Sequence, residues 1–418
     1  MDRHPSILAH LRLHLRLWAE RISYSLASFM VWVLRKIQKQ PIRPKTLLLM
    51  KLDTIGDYVL FRNFLKPLRE FYAGYEITLL CNKDFLEVID AYDRPYIDHL
   101  ILLDTSKWGS WKRFPLFYRL KTIYALNQKS YEVVLNPVFH RSTYRDDFLV
   151  SLINAQHKMG HLGFEQVNQW LVNTPSPGLL DHVYTRLLNN SSEVLFEFER
   201  NREFFSQLVQ KPLADIILEL APPPPLSAKA GFAQPTQDYG VFFLGAGNPK
   251  RKWALDSWAV LAQKIAPAFQ IVLCGSPSET LDGLQLAQKI PNALNLAGKT
   301  SLVELLAVLC QARFIVSNET AIPHFCVALG LGPIFVISNG NTFKRFAPYP
   351  KSMHANHHVI YHPKINALLQ TPDGFGRCVE IYAYNGIDLQ TPHPNFPQMV
   401  ADKMAEVDAE FIRHEKRD

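Results

Sequence analysis

The chain has 418 residues, 48% hydrophobic and 20% charged, a composition that builds cores and excludes a disordered or collagen-like polymer. At roughly 150 residues per domain, the length suits two to three domains. The 45 Lys and Arg against 38 Asp and Glu leave +7. Residues 1–45, nine basic and only Asp2 and Glu20 acidic, hold that whole excess, so the neutral body gives no ground for a nucleic-acid partner.

The head comes first. Leu8, Leu11, Leu15, Trp18, Ile22, Leu26, Phe29 and Val33 recur three or four apart, the stripe of an amphipathic helix. Its most apolar stretch, 22–34, is shorter than the roughly 18 residues that span a bilayer, and no cleavage site follows it. A basic helix with Trp18, Phe29 and Trp32 suits the surface of an anionic membrane, through residues 1–40. The alternative is a helix packed on the body with its cations in solvent.

The body then alternates. Residues 45–50 (KTLLLM) are an apolar strand, LDTIGD at 52–57 a turn, and 58–71 a helix with Val59, Leu60, Phe64, Leu65 and Leu68 as its apolar residues. A strand at 77–81, a helix at 85–91 and strands at 100–103 and 133–135 follow, which means a parallel sheet covered on both faces. Residues 221–238 (APPPPLSAKAGFAQPTQD) are Pro-rich and without periodicity, a linker between a first domain at 41–220 and a second at 239–375. The second has strands at 239–244, 270–274, 314–316 and 334–337, with helices at 257–266, 279–289 and 302–311. Two such domains are expected to bind ligand at the carboxyl ends of their strands. Residues 376–418 form a helical tail, with a helix at 399–412.

Three segments carry residues suited to chemistry. In the turn Asp53-Thr54-Ile55-Gly56-Asp57, Asp57 is either a helix cap or a general base at a strand's carboxyl end. Gly245-Ala246-Gly247, followed by Lys250, Arg251 and Lys252, suits a diphosphate, with Lys252 beside Trp253 the inward-facing cation. Glu319-Thr320-Ala321-Ile322-Pro323-His324 lies between a strand and an apolar helix at 325–331. It reads as a second anion site and as a cap with Thr320 as N-cap and Pro323 in the first turn, two readings that can hold together. Phosphate-loop, nucleophile-elbow and dinucleotide fingerprints are missing. No metal-ligand spacing is present, and five scattered cysteines without a C-x-x-C pair fit a reducing cytoplasm.

Together these segments resemble glycosyltransferase family 9, the lipopolysaccharide heptosyltransferases. The resemblance runs through KTLLLMKLDTIGDYVL (45–60), MGHLGF (159–164), FERNREFF (198–205), FFLGAGNPKRKW (242–253), IVLCGSPSET (271–280) and the stretch 294–330. It implies a GT-B architecture of two Rossmann-like domains. The implied reaction is inverting, metal-independent and cofactor-free transfer from a nucleotide-diphospho-sugar, ADP-heptose by default, to a lipid-linked glycan. Such an enzyme works in the cytoplasm, on the inner face of the membrane. Carried over by position, Asp57 is the base, with Asp53, Thr54 and Gly56 on the acceptor side. Lys252 neutralises the leaving diphosphate, in the loop that begins with Gly245 and Gly247, and Glu279 approaches the nucleoside. The backbone at Thr320 and Ala321 holds the phosphates, with Glu319 and His324 near the donor.

Two departures stand out. The family's Asp-Thr-Gly is here Glu319-Thr320-Ala321, so the carboxylate sits one methylene further out and a glycine free to take positive φ is gone. A different donor, or a degenerate member that binds nucleotide sugar or glycan without catalysis, is the alternative. By analogy with GT-B chains, the helix at 399–412 crosses back to the first domain.

Overall fold

Unbroken apolar runs such as Leu47–Met50 and Ile271–Leu273 can be satisfied only where both faces of a strand are covered. The computed structural model buries them in that way. It describes residues 41–418 apart from 109–115, 163–179, 192, 227–230, 232, 236–237, 266–268, 355, 383–385 and 416–418, together with residues 22, 25, 26, 28–33 and 36. Twelve strands among the described residues form two six-stranded parallel sheets.

The first sheet contains β1 (Thr46–Lys51), β2 (Glu76–Asn82), β3 (His99–Leu103), β4 (Tyr131–Asn136), β5 (Ala155–His161) and β6 (Arg186–Leu188), in the order β3-β2-β1-β4-β5-β6. β1 is buried at every position; Leu48 pairs with Thr78 on one side and Val134 on the other. The second contains β7 (Tyr239–Phe243), β8 (Gln270–Cys274), β9 (Leu294–Asn295), β10 (Phe314–Asn318), β11 (Ile334–Ser338) and β12 (His357–Tyr361), in the order β12-β11-β10-β7-β8-β9. Both are the 3-2-1-4-5-6 arrangement. The direction of winding reverses between β1 and β4 and between β7 and β10, where such sheets bind ligands.

The chain divides into two compact units. One takes the described residues up to Thr54 with Phe64–Glu193 and Arg200–Ala214; the other takes Ile55–Asn63, Val194–Glu199 and everything from Asp215. The segment carrying Gly56 and Asp57 therefore leaves β1 and joins the second unit. Between Val209 and Asp238 the described residues form neither helix nor strand. The C-terminal helix Phe396–Glu415 buries Phe396, Val400, Met404 and Val407 with Trp258 and Leu261 in the second unit's core.

Three expectations change. The helix expected at 58–71 is three pieces: Ile55–Val59, a tight turn at Arg62–Phe64, and Leu65–Phe71. Pro67 has no N–H to give the carbonyl of Asn63, so one continuous helix would lose a bond there. The helix expected at 325–331 runs from Ile322 to Ala328, and Gly330 at φ +68° closes it in a conformation that favours glycine. In the head, whose residues before 22 lie outside those described, the described residues are helical. Val31 belongs to the same buried cluster as Leu48, Trp108 and Phe148, with Met30 packed against it. The expected stripe is not the packed face: Ile22, Leu26 and Phe29 are 42%, 45% and 64% exposed.

Candidate active site

The second sheet's switch point lies between β7 and β10, and one side chain ties the loops that leave them. Asn318, fully buried at the end of β10, donates from Nδ2 to the carbonyl of Leu244 (2.8 Å) and accepts at Oδ1 from the Trp253 N–H (3.0 Å). The Gly245–Lys252 loop is thereby held against β10. Within it, Asn248 caps the turn Pro249–Arg251 by accepting from the Lys250 N–H at 3.0 Å. Lys250 points to solvent, whereas half-buried Lys252 bonds Glu279 and lies 3.6 Å from Asp282. Gly247 is exposed in the same loop, and Gly245 is buried.

Glu279 closes a short turn after β8 and completes a capping box with Ser276. Its carboxylate accepts from the Ser276 N–H (3.1 Å), the Ser276 hydroxyl (2.7 Å) and the Ser278 hydroxyl (2.7 Å) as well as from Lys252. Burial alone would raise its pKa, but the bonds from Lys252, Ser278 and Ser276 outweigh that and lower it. Glu279 is thus an ionised, buried group with a built set of donors.

Glu319 differs. It is buried, Oε2 accepts from the Ser338 hydroxyl at 2.6 Å, and Oε1 has no hydrogen-bond partner. Burial pushes its pKa up, against the pull of Arg251 and Ser338. An orphaned carboxyl oxygen in a buried position is suited to a ligand hydroxyl. Ala321 sits at φ −69°, an ordinary right-handed conformation, so the missing glycine causes no backbone strain here. It, not Thr320, is the N-cap of the Ile322–Ala328 helix, without a side-chain bond, and Pro323 falls in the first turn as expected.

His324 is buried, with Nδ1 2.6 Å from the Tyr349 hydroxyl and its ring 5.9 Å from that of Phe346. Burial lowers its pKa to about 4 despite the attraction of Asp57, so the imidazole is neutral at pH 7. Gly56 makes this neighbourhood possible: a Cβ there would stand 3.0 Å from His324 Cδ2 and 3.5 Å from Ala321 Cα. The first and third sequence segments therefore meet within the second unit.

Asp57 lies inside the short helix Ile55–Val59, its side chain 9% exposed, and so is not the residue before that helix. Its Oδ1 is 3.7 Å from Arg345 Nη2; Arg345 Nε in turn bonds Glu197 Oε2 at 2.9 Å, and the Glu197 N–H donates to the Arg345 carbonyl at 2.8 Å. Sequence reasoning missed Arg345 and Glu197. The one signal for Arg345 is a cation set between Phe343 and Phe346. Asp53 and Thr54 belong to the first unit, where Asp53 pairs at 2.8 Å with the fully buried Lys51. Among the described residues, no group of three or more His, Cys, Asp or Glu is placed to hold a metal ion.

Residues 184–364 match the sequence profile described as glycosyltransferase family 9 (heptosyltransferase). The matched segment contains Glu197, Lys252, Glu279, Glu319–His324 and Arg345, while Asp57 precedes it. The lipopolysaccharide core heptosyltransferase OpsX of Haemophilus influenzae is 22% identical over 327 residues, 73% of this chain and 82% of that protein. Among solved structures, E. coli heptosyltransferase WaaC with ADP-2-deoxy-2-fluoro heptose aligns at TM-score 0.54 and 20% identity, covering 76% of this chain and 93% of that one. The family 9 glycosyl transferase from Veillonella parvula aligns at TM-score 0.55 and 17% identity, covering 87% and 99%. At these identities the structural likeness concerns the fold, two parallel-sheet units of the GT-B kind.

Proposed function

We propose that this chain is a member of glycosyltransferase family 9 that transfers a sugar from a nucleotide-diphospho-sugar to a lipid-linked glycan, by inversion and without a metal ion. Heptose from ADP-heptose, transferred to a lipopolysaccharide core, is the specific form of this reading. The observation that carries it is the meeting of Asp57, Gly56, Ala321 and His324 in the unit that also holds the Lys252–Glu279 ion pair. Transfer needs a proton removed from the acceptor hydroxyl and charge stabilised on the departing diphosphate. Asp57 is the group for the first task. Lys252, in the loop that begins with Gly245 and Gly247, and the backbone at Thr320 and Ala321 serve the second. Glu279 takes the nucleoside side and Glu319 a donor hydroxyl; Asp53, Thr54 and Gly56 lie toward the acceptor.

Calorimetry and turnover with a panel of nucleotide-diphospho-sugars that includes ADP-heptose test this. One donor should bind and turn over. Binding without turnover, on protein that melts cooperatively, would support the non-catalytic reading, for which the change to Glu319 is the specific observation.

A lipid-linked acceptor places the enzyme at the cytoplasmic face of the membrane, and the head suits that surface. Among the described residues no helix is long and apolar enough to cross a membrane. While Val31 is buried, Ile22, Leu26, Phe29 and Trp32 are exposed at helical spacing. The Phe29 and Trp32 rings stack at 5.9 Å, and Lys36 Nζ lies 4.1 Å over the Trp32 ring. Aromatic rings flanked by cations suit the headgroup boundary of an anionic bilayer. Phe29→Ser/Trp32→Ser should cut binding to phosphatidylglycerol vesicles by about tenfold, at about 1–2 kcal/mol for two partly inserted rings. Co-sedimentation reads this, and unchanged binding would remove the head as the membrane contact.

A further inference from the structure

We propose that Arg345, clamped by Glu197, is the residue that positions the Asp57 carboxylate for catalysis; this rests on the reading of Asp57 as the base. Three segments far apart in sequence converge in the second unit: the Ile55–Val59 helix, the Val194–Glu199 segment, and the loop after β11. The loop and the 194–199 segment are locked together twice. Glu197 holds Arg345 through its carboxylate at 2.9 Å and through its own N–H to the Arg345 carbonyl at 2.8 Å. One residue earlier, the Phe196 ring packs 4.6 Å from that of Tyr349.

The guanidinium is further fixed by its own surroundings. The Arg345 Cζ lies 4.5 Å over the Phe346 ring, and the residue's backbone N–H donates to the carbonyls of Thr342 (3.1 Å) and Phe343 (2.7 Å), which fixes the root of the side chain. Held so, Nη2 stands 3.7 Å from Asp57 Oδ1. A planar guanidinium on a braced stem directs a carboxylate more closely than a mobile lysine would. The same loop supplies Phe346 and Tyr349 to His324, the other group beside Asp57. Since burial keeps that imidazole neutral, it adds no positive charge. The loop at 342–349 thus sets both the charge and the packing around the candidate base.

The role is one of positioning, so the expected loss is in kcat rather than in donor binding. Arg345→Gln should lower kcat with ADP-heptose by about 10- to 100-fold, the scale of an ångström-sized misplacement. The donor KM and the calorimetric affinity for ADP should stay within about twofold. Arg345→Lys should recover part of the loss, and Glu197→Gln should show a smaller loss in the same direction. Three results would each overturn the role: kcat unchanged in Arg345→Gln, ADP affinity lost in proportion to kcat, or a lowered melting temperature with no rescue by lysine. Asp57→Asn run in parallel separates the two failures. If it retains turnover, the base assignment fails and this role with it; if it is inactive while Arg345→Gln is fully active, only the positioning role fails. A wild type silent with ADP-heptose and with every panel donor rejects both.

Discussion

Asp57→Asn should reduce turnover by about 10²- to 10⁴-fold, the usual contribution of a positioned general base, with donor and ADP binding retained. Asn has nearly the same shape and can occupy the same place in the Ile55–Val59 helix, but it cannot accept a proton at neutral pH. The surroundings argue that the fold tolerates the change. Arg345 keeps its two bonds to Glu197, and Asn adds no atom to the space beside His324. His324 is a poor substitute base, because burial lowers its pKa to about 4. A single-turnover assay beside ADP calorimetry and a thermal melt decides the matter. Turnover above about a tenth of wild type would move the base elsewhere, since a tenfold loss is only about 1.4 kcal/mol of barrier.

What could be read in advance follows from where each feature's physical cause lies. β1, β2, β8 and β11 are legible because a strand buried on both faces must be apolar at every position, and a run such as Ile334–Ile337 has no other use. β12 (HHVIY) escaped notice because it is an edge strand rich in histidine. β5 (AQHKMGH) did so because its first five positions are only partly buried or exposed. The break within 58–71 was readable in principle, since Pro67 is in plain view; its apolar spacing argued for one helix and the missing N–H decided against it. Lys252 was distinguishable from Lys250 by the neighbouring Trp253, which is buried and draws that end of the loop inward. The Arg345–Glu197 clamp joins residues 148 positions apart, which no local periodicity records. The neutral state of His324 comes from burial by Tyr349 and Phe346, contributed by a different loop. The loss of glycine at 321 proved harmless because the backbone there is right-handed, a fact that only the φ angle supplies.

Lys252→Ala should weaken ADP binding and turnover together, by about 10²-fold in kcat/KM, because a cation facing a leaving diphosphate acts on both the bound state and the transition state. Without ligand, Lys252 is not a lone cation: it bonds Glu279 and stands 3.6 Å from Asp282, so the local charge is one positive against two negative. A diphosphate arriving there must draw the ammonium toward itself, and Glu279 must tolerate this through its remaining bonds to Ser276 and Ser278. Removing the lysine also leaves that buried carboxylate one donor short, at about 1–3 kcal/mol, so the melting temperature should fall. Glu279→Gln separates the two effects. It keeps the shape, removes the competing charge, and should tighten binding of inorganic pyrophosphate while weakening ADP if the carboxylate also holds the nucleoside. If both ligands tighten equally, Glu279 serves only as the lysine's counter-charge. If pyrophosphate binds Lys252→Ala as well as wild type, the diphosphate is held elsewhere, and Lys252 belongs to the stability of the loop rather than to the chemistry.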